Sequence, residues 1–164
     1  MKPVSSGSSY GVRVFNSIND IDRFFLNFKN EMNVYQNHKQ LMIEKYIKGR
    51  ELTVTVFENN KASEAVEVTE IVSSNTFFDY KAKYTKGLSK HILPARLPEK
   101  IYQQCLYFAK IVHDTLGCRG ISRSDFLYDK QQIYFLEINT QPGLTPISLV
   151  PEQLSYKNIN FDML

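Results

Sequence analysis

Two carboxylates and one amide near the C-terminal end of the chain have the residue types and the spacing of a cation site. Asp125 lies in the alternating run 121–128, and Glu137 and Asn139 lie two apart at the end of the run that starts at Ile133. Residues two apart in a strand point to one face, so Glu137 and Asn139 can project together. If the two runs pair across the polar turn between them, Asp125 falls opposite that end. Three hard oxygen ligands of this kind suit a Mg²⁺ ion that bridges nucleotide phosphates.

Arg123 adds a positive charge to the same face. It lies two residues before Asp125, so in a strand it could hold an anion beside the metal. Pro142-Gly143 predicts a sharp turn that exposes backbone N–H groups near the acidic residues, and Ser148 follows it. The same residues also fit an antiparallel hairpin whose charged side chains face solvent, because strand pairs with acidic edges are common. The spacing leaves both interpretations open.

Strands upstream must position these residues. Alternation predicts strands over 52–57 and near 62–68, joined by a turn at Asn59-Asn60. The apolar run 41–47 predicts a shorter strand before them. Taken alone, these segments predict a meander of strands with exposed glutamates.

Helices are predicted on either side of these strands. Ser17 or Asn19 caps the first, and Pro98 opens a long amphipathic helix that Gly117 ends. His113, near the end of this helix, fits the helix dipole better than a catalytic role. The predicted apolar face of the long helix is Ile101, Cys105, Phe108, Ala109, Val112 and Leu116.

Composition and charge indicate one globular domain, or one domain plus a small lobe. The chain has 164 residues, of which 43% are hydrophobic and 23% charged, and its formal net charge is +3. Lysines spread over the whole length do not form the basic stripe of a nucleic-acid-binding protein. No apolar run approaches the length of a membrane helix, and the N-terminus has no signal-peptide pattern. Cys105 and Cys118 lack metal-ligand spacing, which favours a reduced, cytosolic protein.

A loop of small residues follows Lys2. The density of Gly and Ser around Gly7-Ser8-Ser9 would allow backbone amides to wrap an anion such as a nucleotide phosphate. The composition of this segment, taken alone, also fits a disordered tail.

Five segments resemble motifs of the D-alanine–D-alanine ligases, which are members of the ATP-grasp superfamily. GCRGISRSDF, from Gly117, and LEINTQPGLTPISLVPE, from Leu136, resemble their C-terminal signature. KPVSSGSSYGV resembles the phosphate loop KPxxEGSSxGV, EKYIKGRELTV the adenine segment EKxxxGxExT, and FFDYKAKY the lid FFDYxxKY. The resemblance covers the whole chain and implies an α+β ATP-grasp fold of antiparallel sheets with flanking helices. It implies a small ATP-binding lobe over about 1–58 and a larger lobe over about 59–164. It also implies that the last helix begins at Ser155.

The resemblance assigns the nucleotide to the phosphate loop and the adenine segment. Glu44 would accept from the adenine amino group and Glu51 from the ribose hydroxyls, which are sensible acceptors for a purine and a sugar. The implied ATP-binding residues are Lys2, Gly7, Ser8, Ser9, Glu44, Lys45, Tyr46, Ile47 and Glu51.

The resemblance also assigns the groups that act on the substrates. Lys83 of the lid would point at the γ-phosphate and Tyr84 would close the substrate pocket. We expect the lid, 77–90, to be the most mobile internal segment without nucleotide. The implied catalytic residues are Lys83, Tyr84, Arg123 and Gly143, the metal ligands are Asp125, Glu137 and Asn139, and the substrate contacts are Ser8, Ser148 and Leu149.

The implied reaction uses ATP and Mg²⁺ or Mn²⁺. ATP phosphorylates the carboxylate of one D-alanine, and the amine of a second attacks the acylphosphate to give D-Ala-D-Ala, ADP and phosphate. The product feeds bacterial peptidoglycan, and hence the cell wall and cell shape. The implied partner is D-alanine, with no nucleic acid and no membrane, in the cytoplasm. A homodimer and a separate N-terminal partner are both left open.

Two features depart from the family pattern. Ser6 stands where the family has a glutamate, so any contact of that carboxylate is missing. Family members carry an N-terminal substrate domain before the phosphate-loop lysine. We therefore expect a fragment, or the product of a broken reading frame, that forms no detectable D-Ala-D-Ala by itself. Another ATP-grasp carboxylate–amine ligase and a non-catalytic remnant or interaction module are the alternatives.

Overall fold

Two compact units make up the described part of the chain, which the computed structural model gives as residues 1–5, 7, 9–28, 35, 38, 40–59, 62–73 and 89–160. The described residues of Met1–Tyr46 and Ser73–Ser89 form the first unit, and those of Ile47–Val72 and Lys90–Leu164 form the second. The lobe boundary expected near residue 58 stays a prediction. No helix in these ranges is both long enough and apolar enough to cross a membrane.

A short antiparallel sheet and a helix lie in the first unit. β1 (Lys2–Pro3) pairs with β2 (Leu41–Met42), which covers only the first two residues of the predicted strand. α1 (Ile18–Leu26) begins at a predicted cap, because the Ser17 hydroxyl accepts a hydrogen bond from the Asp20 N–H at 3.2 Å.

Aromatic side chains pack around α1. The Phe24 ring is buried, and its centroid lies 5.4 Å from that of Phe15 and 5.9 Å from that of Tyr35 in edge-to-face contacts. The Arg13 guanidinium lies 4.8 Å from the Phe24 centroid. These contacts give the first unit an aromatic core.

A five-stranded sheet forms the centre of the second unit. Its strand order is β5-β4-β3-β6-β7. β3 pairs antiparallel with β4 on one side and with β6 on the other, and β6 pairs antiparallel with β7. These pairings confirm the predicted antiparallel arrangement. The strands are β3 (Arg50–Asn59), β4 (Ala62–Ser73), β5 (Ser89–Ile92), β6 (Ile121–Tyr128) and β7 (Ile133–Asn139).

The turn between β6 and β7 is built on Asp129. Its Oδ1 accepts hydrogen bonds from the N–H groups of Gln131 and Gln132, both at 2.8 Å. The backbone bond from Gln132, followed by that from Gln131, holds the pKa of the Asp129 carboxyl below its ordinary value. The predicted polar turn is therefore confirmed, with an aspartate that closes it.

α2 (Glu99–Thr115) packs on one face of the sheet and confirms the predicted long helix. Gly117 follows its end with a φ of +64°, a conformation that glycine adopts without strain. The core on this face comprises Leu52, Val54, Val56, Val68, Ala95, Cys105, Ala109, Phe126 and Tyr128.

The predicted apolar face of α2 is wrong at two positions. Phe108 is 36% exposed and Leu116 61% exposed, whereas His113 is buried with its Nδ1 2.7 Å from the Ser122 Oγ. The reason is the helical period, since Cys105, Ala109 and His113 follow one another at i, i+4 spacing and form the stripe that meets the sheet.

α3 (Leu149–Tyr156) covers the opposite face, where Val150 and Leu154 pack against Phe57 and Val66. The expectation that the last helix begins at Ser155 is wrong. The helix begins six residues earlier, at Leu149. It accommodates Pro151 because this residue lies in the first turn, where no N–H has an intrahelical acceptor.

A register shift in the β6–β7 ladder decides which way β7 presents its side chains. Phe126 pairs with Phe135 but Asp125 pairs with Glu137, so Leu136 is left without a partner in the ladder. The extra residue turns Phe135 and Glu137 to opposite faces although they are only two apart. The Phe135 ring stays beside Phe126, with centroids 5.8 Å apart. A regular ladder would have placed Leu136 opposite Asp125.

Candidate active site

One face of the β6–β7 ladder carries the four residues predicted for metal and anion chemistry. Asp125 is the direct partner of Glu137, and Arg123 is the direct partner of Asn139. The Arg123 and Asp125 side chains are 18% and 19% exposed, while Glu137 is exposed. The structure therefore brings these side chains to one face, as the sequence predicts. Their part in binding a metal stays a prediction.

The Asp125 carboxylate is held from two sides. Arg123 donates from Nε to Oδ1 at 3.0 Å and from Nη2 to Oδ2 at 2.9 Å. The Thr53 hydroxyl on β3 donates to Oδ1 at 2.6 Å. Both contacts are charge-assisted and fix the carboxylate orientation. An anion that reaches Arg123 would share its guanidinium with Asp125.

The donor set fits Mg²⁺ when a ligand supplies further oxygens. Within the ranges described above, no group of three or more His, Cys, Asp or Glu side chains could hold a metal ion. Asp125 and Glu137 provide two carboxylates and Asn139 an amide oxygen. Mg²⁺ commonly combines one or two carboxylates with water and substrate phosphates. These residues therefore suit a cation that binds together with nucleotide phosphates.

The loop after β7 brings Gly143 against Ser148. The Asn139 Oδ1 accepts a hydrogen bond from the Gln141 N–H at 3.0 Å and turns the chain. The Ser148 Oγ accepts from the Thr145 N–H at 3.2 Å. A Cβ added to Gly143 would lie 2.9 Å from the Ser148 Oγ, so any larger residue would displace that hydroxyl. The predicted oxyanion and substrate residues are thus neighbours, and Leu149 follows directly at the start of α3.

In the first unit, two predicted nucleotide ligands bind each other. Lys2 Nζ lies 2.8 Å from Glu44 Oε2, and the two side chains are 37% and 53% exposed. An ion pair this exposed contributes about 1 kcal/mol at most, so a nucleotide could replace it.

The loop after Lys2 forms a turn. The Tyr10 N–H donates to the Gly7 carbonyl at 3.0 Å, and Ser9 adopts a φ of +58°. This geometry differs from the disordered-tail interpretation and leaves the predicted phosphate role of Gly7 and Ser9 open.

The adenine segment runs from the first unit into the second. Lys45 and Tyr46 are exposed and Ile47 is half-buried. Gly49 lies against the end of β6, where an added Cβ would come within 2.9 Å of the Tyr128 carbonyl oxygen. Glu51, two residues before Thr53 on β3, shares the face of Asp125.

Three predicted site residues lie outside the described residues. They are Ser8, Lys83 and Tyr84, and the Ser6 departure and most of the lid, 77–90, lie outside as well. Their assigned roles and the expected mobility of the lid stay predictions.

Two buried polar residues around the site, Thr53 and Gln153, are not predicted from the sequence. Gln153 on α3 accepts a hydrogen bond from the Thr55 N–H at 2.8 Å and donates to the Thr53 carbonyl at 3.1 Å and to the Thr69 hydroxyl at 2.8 Å. Thr53 in turn holds Asp125. The available signal was the alternation of threonine with apolar residues in LTVTVF, which indicates a strand with one polar face.

Comparisons with known proteins identify the family of the chain. The family model for the D-ala D-ala ligase C-terminus matches residues 1–164. The D-alanine–D-alanine ligase of Zymomonas mobilis subsp. mobilis is 44% identical over 166 residues, covering 98% of this chain and 50% of the relative. The chain thus spans about half the length of the curated relatives it matches.

Two solved structures share the fold over nearly the whole chain. D-alanyl-alanine synthetase A from Vibrio cholerae matches with a TM-score of 0.80 and 29% identity, covering 99% of this chain and 48% of that one. The Bacillus anthracis D-alanine–D-alanine ligase complexed with ATP matches with a TM-score of 0.68 and 25% identity, covering 92% and 46%. The chain therefore has the ATP-grasp fold and belongs to the D-alanine–D-alanine ligase C-terminus family.

Proposed function

We propose that this chain is the ATP-grasp portion of a D-alanine–D-alanine ligase. The observation that carries the proposal is the shared face of β6 and β7, where Asp125 lies opposite Glu137 and Arg123 opposite Asn139. The family membership and the ATP-bound Bacillus anthracis relative support it.

The cation would be held by Asp125, Glu137 and Asn139. Bound there with ATP, Mg²⁺ would offset the negative charge of the phosphate oxygens. Arg123 lies beside Asp125 and would bind the transferred phosphate or the developing oxyanion. The Gly143 N–H would be a second oxyanion donor.

In the proposed reaction, the carboxylate of one D-alanine attacks the γ-phosphorus of ATP and ADP leaves. The amine of a second D-alanine then attacks the acylphosphate carbon, loses a proton, and phosphate departs as the peptide bond forms. Ser148 and Leu149 would hold the second D-alanine. Lys83, Tyr84 and Ser8 keep the roles proposed for them from the family motifs.

The nucleotide would use the phosphate loop and the adenine segment. Lys2 would exchange its contact with Glu44 for a phosphate, which frees Glu44 for the adenine amino group. The remaining proposed contacts are Gly7, Ser9, Lys45, Tyr46, Ile47 and Glu51. The dipeptide product would serve peptidoglycan synthesis in the cytoplasm, and the assembly would be a homodimer or a complex with an N-terminal partner.

The first test is cation-dependent nucleotide binding. A non-hydrolysable ATP analogue with Mg²⁺ should raise the melting temperature, because ligand at 100 times its Kd stabilises the folded state by about 2.7 kcal/mol. Asp125→Asn and Glu137→Gln should remove most of the Mg²⁺-dependent part of this shift. Glu64→Gln is the control, since Glu64 is an exposed carboxylate on β4 that pairs with Phe57 and lies outside the β6–β7 ladder.

The second test is chemical. The chain is incubated with ATP, Mg²⁺ and D-alanine, alone and together with the separately expressed N-terminal half of the Zymomonas mobilis relative, and the dipeptide is detected by chromatography. Dipeptide that depends on this chain and is lost in Glu137→Gln supports the proposal. Absence of both nucleotide binding and dipeptide would indicate a non-catalytic remnant.

A further inference from the structure

Thr53 makes a short hydrogen bond to the predicted metal ligand Asp125. Thr53 lies on β3, which pairs with β6 along the edge opposite β7. Its side chain is fully buried, and the distance from its Oγ1 to the Asp125 Oδ1 is 2.6 Å. The next acceptor, the Ser124 carbonyl, lies at 3.4 Å, so the single hydroxyl proton is directed at the carboxylate. A buried β-branched residue has little rotamer freedom, which fixes this direction.

The two oxygens of Asp125 are used unequally. Oδ1 accepts from both Thr53 and the Arg123 Nε, whereas Oδ2 accepts from the Arg123 Nη2. A carboxylate oxygen has about two lone-pair directions, so Oδ1 is filled by the protein and Oδ2 keeps acceptor capacity. Thr53 thereby distinguishes the oxygen that faces the protein from the oxygen that can face a ligand.

Gln153 on α3 fixes the backbone of β3 at Thr53 by hydrogen bonding. The ladder between β3 and β4 shifts register between Val54 and Val56, and the Thr55 N–H within that shift donates to the Gln153 Oε1. The amide nitrogen of Gln153 donates to the Thr53 carbonyl. Gln153 is itself fully buried, so this segment of β3 is fixed on the side of α3.

We propose that Thr53 is a positioning residue of the cation site, which orients Asp125 so that Oδ2 is presented to the cation. The inference rests on the proposed function, because it assumes that Asp125 binds the cation of the nucleotide complex. Residues that orient a metal ligand in this way commonly affect metal affinity by about 10- to 100-fold.

Three substitutions on β3 separate the hydroxyl from its surroundings. Thr53→Val keeps the shape and removes the donor, while Thr53→Ser keeps the donor. Thr55→Val is the matched control, because Thr55 is equally buried on the same strand face and its hydroxyl has no hydrogen-bond partner among the described residues. Calorimetry with the full chain measures the affinity of a non-hydrolysable ATP analogue with and without Mn²⁺. The ratio of the affinity with Mn²⁺ to the affinity without it isolates the contribution of the cation.

We expect Thr53→Val to lower this ratio about 10- to 100-fold. Thr53→Ser and Thr55→Val should stay within about threefold of the unsubstituted chain, since the first retains a hydroxyl donor for Asp125 and the second leaves the Thr53 hydroxyl untouched. Melting curves without ligand check that each variant folds. Should Thr53→Val not fold, Thr53→Cys replaces it with the same expected loss, because a thiol is a weak donor.

Two outcomes overturn the inference in distinguishable ways. An unsubstituted chain that binds the analogue equally with and without Mn²⁺ has no cation site, which contradicts the proposed function and this inference together. If Mn²⁺ clearly strengthens binding to the unsubstituted chain and Thr53→Val retains that effect, only the role of the Thr53 hydroxyl is contradicted. The same conclusion follows if Thr55→Val loses the Mn²⁺ effect as strongly as Thr53→Val does.

Discussion

Cys105 and Cys118 are both free thiols, but their surroundings predict different reactivity. Burial raises the pKa of the Cys105 thiol to about 12, so at pH 8.5 almost none of it is the reactive thiolate. Cys118 is only half-buried, just beyond Gly117. We expect a disulfide reagent at pH 8.5 to modify one thiol per folded chain quickly and the second only after unfolding, as followed by absorbance.

Cys118→Ser provides the control for this prediction. Its folded form should show no fast reaction, and one thiol should appear in denaturant. A fast reaction in folded Cys118→Ser would mean that Cys105 is accessible to the reagent and would contradict its assignment to the core.

At the scale of elements, α3 is attached to the sheet by apolar packing and by the hydrogen bonds of one buried amide side chain. Gln153 joins α3 to β3 and β4 with three hydrogen bonds, and it is fully buried. Gln153→Leu should lower the free energy of unfolding by about 3 kcal/mol, since each buried polar group left without a partner costs about 1–3 kcal/mol. Urea unfolding measures the change.

The exposed position Ser155 on the same helix gives the matched control. Ser155→Ala should change the free energy of unfolding by less than about 0.5 kcal/mol. Equal effects of the two substitutions would show that the Gln153 contacts do not anchor the helix.

The sequence predicted the elements well because most have strong local signals. Ser17, Pro98 and Gly117 mark helix ends through local conformation and contacts, so the helix starts and ends could be predicted from them. The start of α3 was missed, because Pro151 signals a break in sequence although a helix accepts proline in its first turn.

The geometry of the candidate site was predictable only in part. Alternation indicated that Glu137 and Asn139 share a face, but their alignment with Asp125 depends on the register shift at Leu136. A bulge of this kind has no local sequence signal here. The contact between Thr53 and Asp125 joins residues 72 apart in sequence, and only the assembled sheet reveals it.

At the scale of the whole molecule, the two units differ in their cores. Among the described residues, the first unit buries the aromatic side chains Phe24 and Tyr35, whereas the second contains two apolar clusters on opposite faces of a sheet. Amide exchange should therefore be slowest in β3 and much faster in α1, because regions with fewer buried contacts open at lower free energy.

Hydrogen–deuterium exchange with mass spectrometry would measure this difference on peptides that cover 52–57 and 18–26. The same peptides from the denatured chain give the unprotected rates. Equal protection of α1 and β3 would contradict the prediction and indicate that both units open only by global unfolding.

The central position of β3 also bears on the order in which the chain folds. β6 and β7 are joined by a short turn and can pair early, which places Asp125 opposite Glu137 before the rest of the sheet exists. β3 can meet β6 only after the long segment between them, which includes β4, β5 and α2, brings the two strands together, and such non-local pairing slows folding. The carboxylates are therefore expected to come together in an early hairpin, whereas Thr53 reaches Asp125 at a later step. Refolding followed by the appearance of Mn²⁺–nucleotide affinity would then report the arrival of β3 rather than the formation of the hairpin.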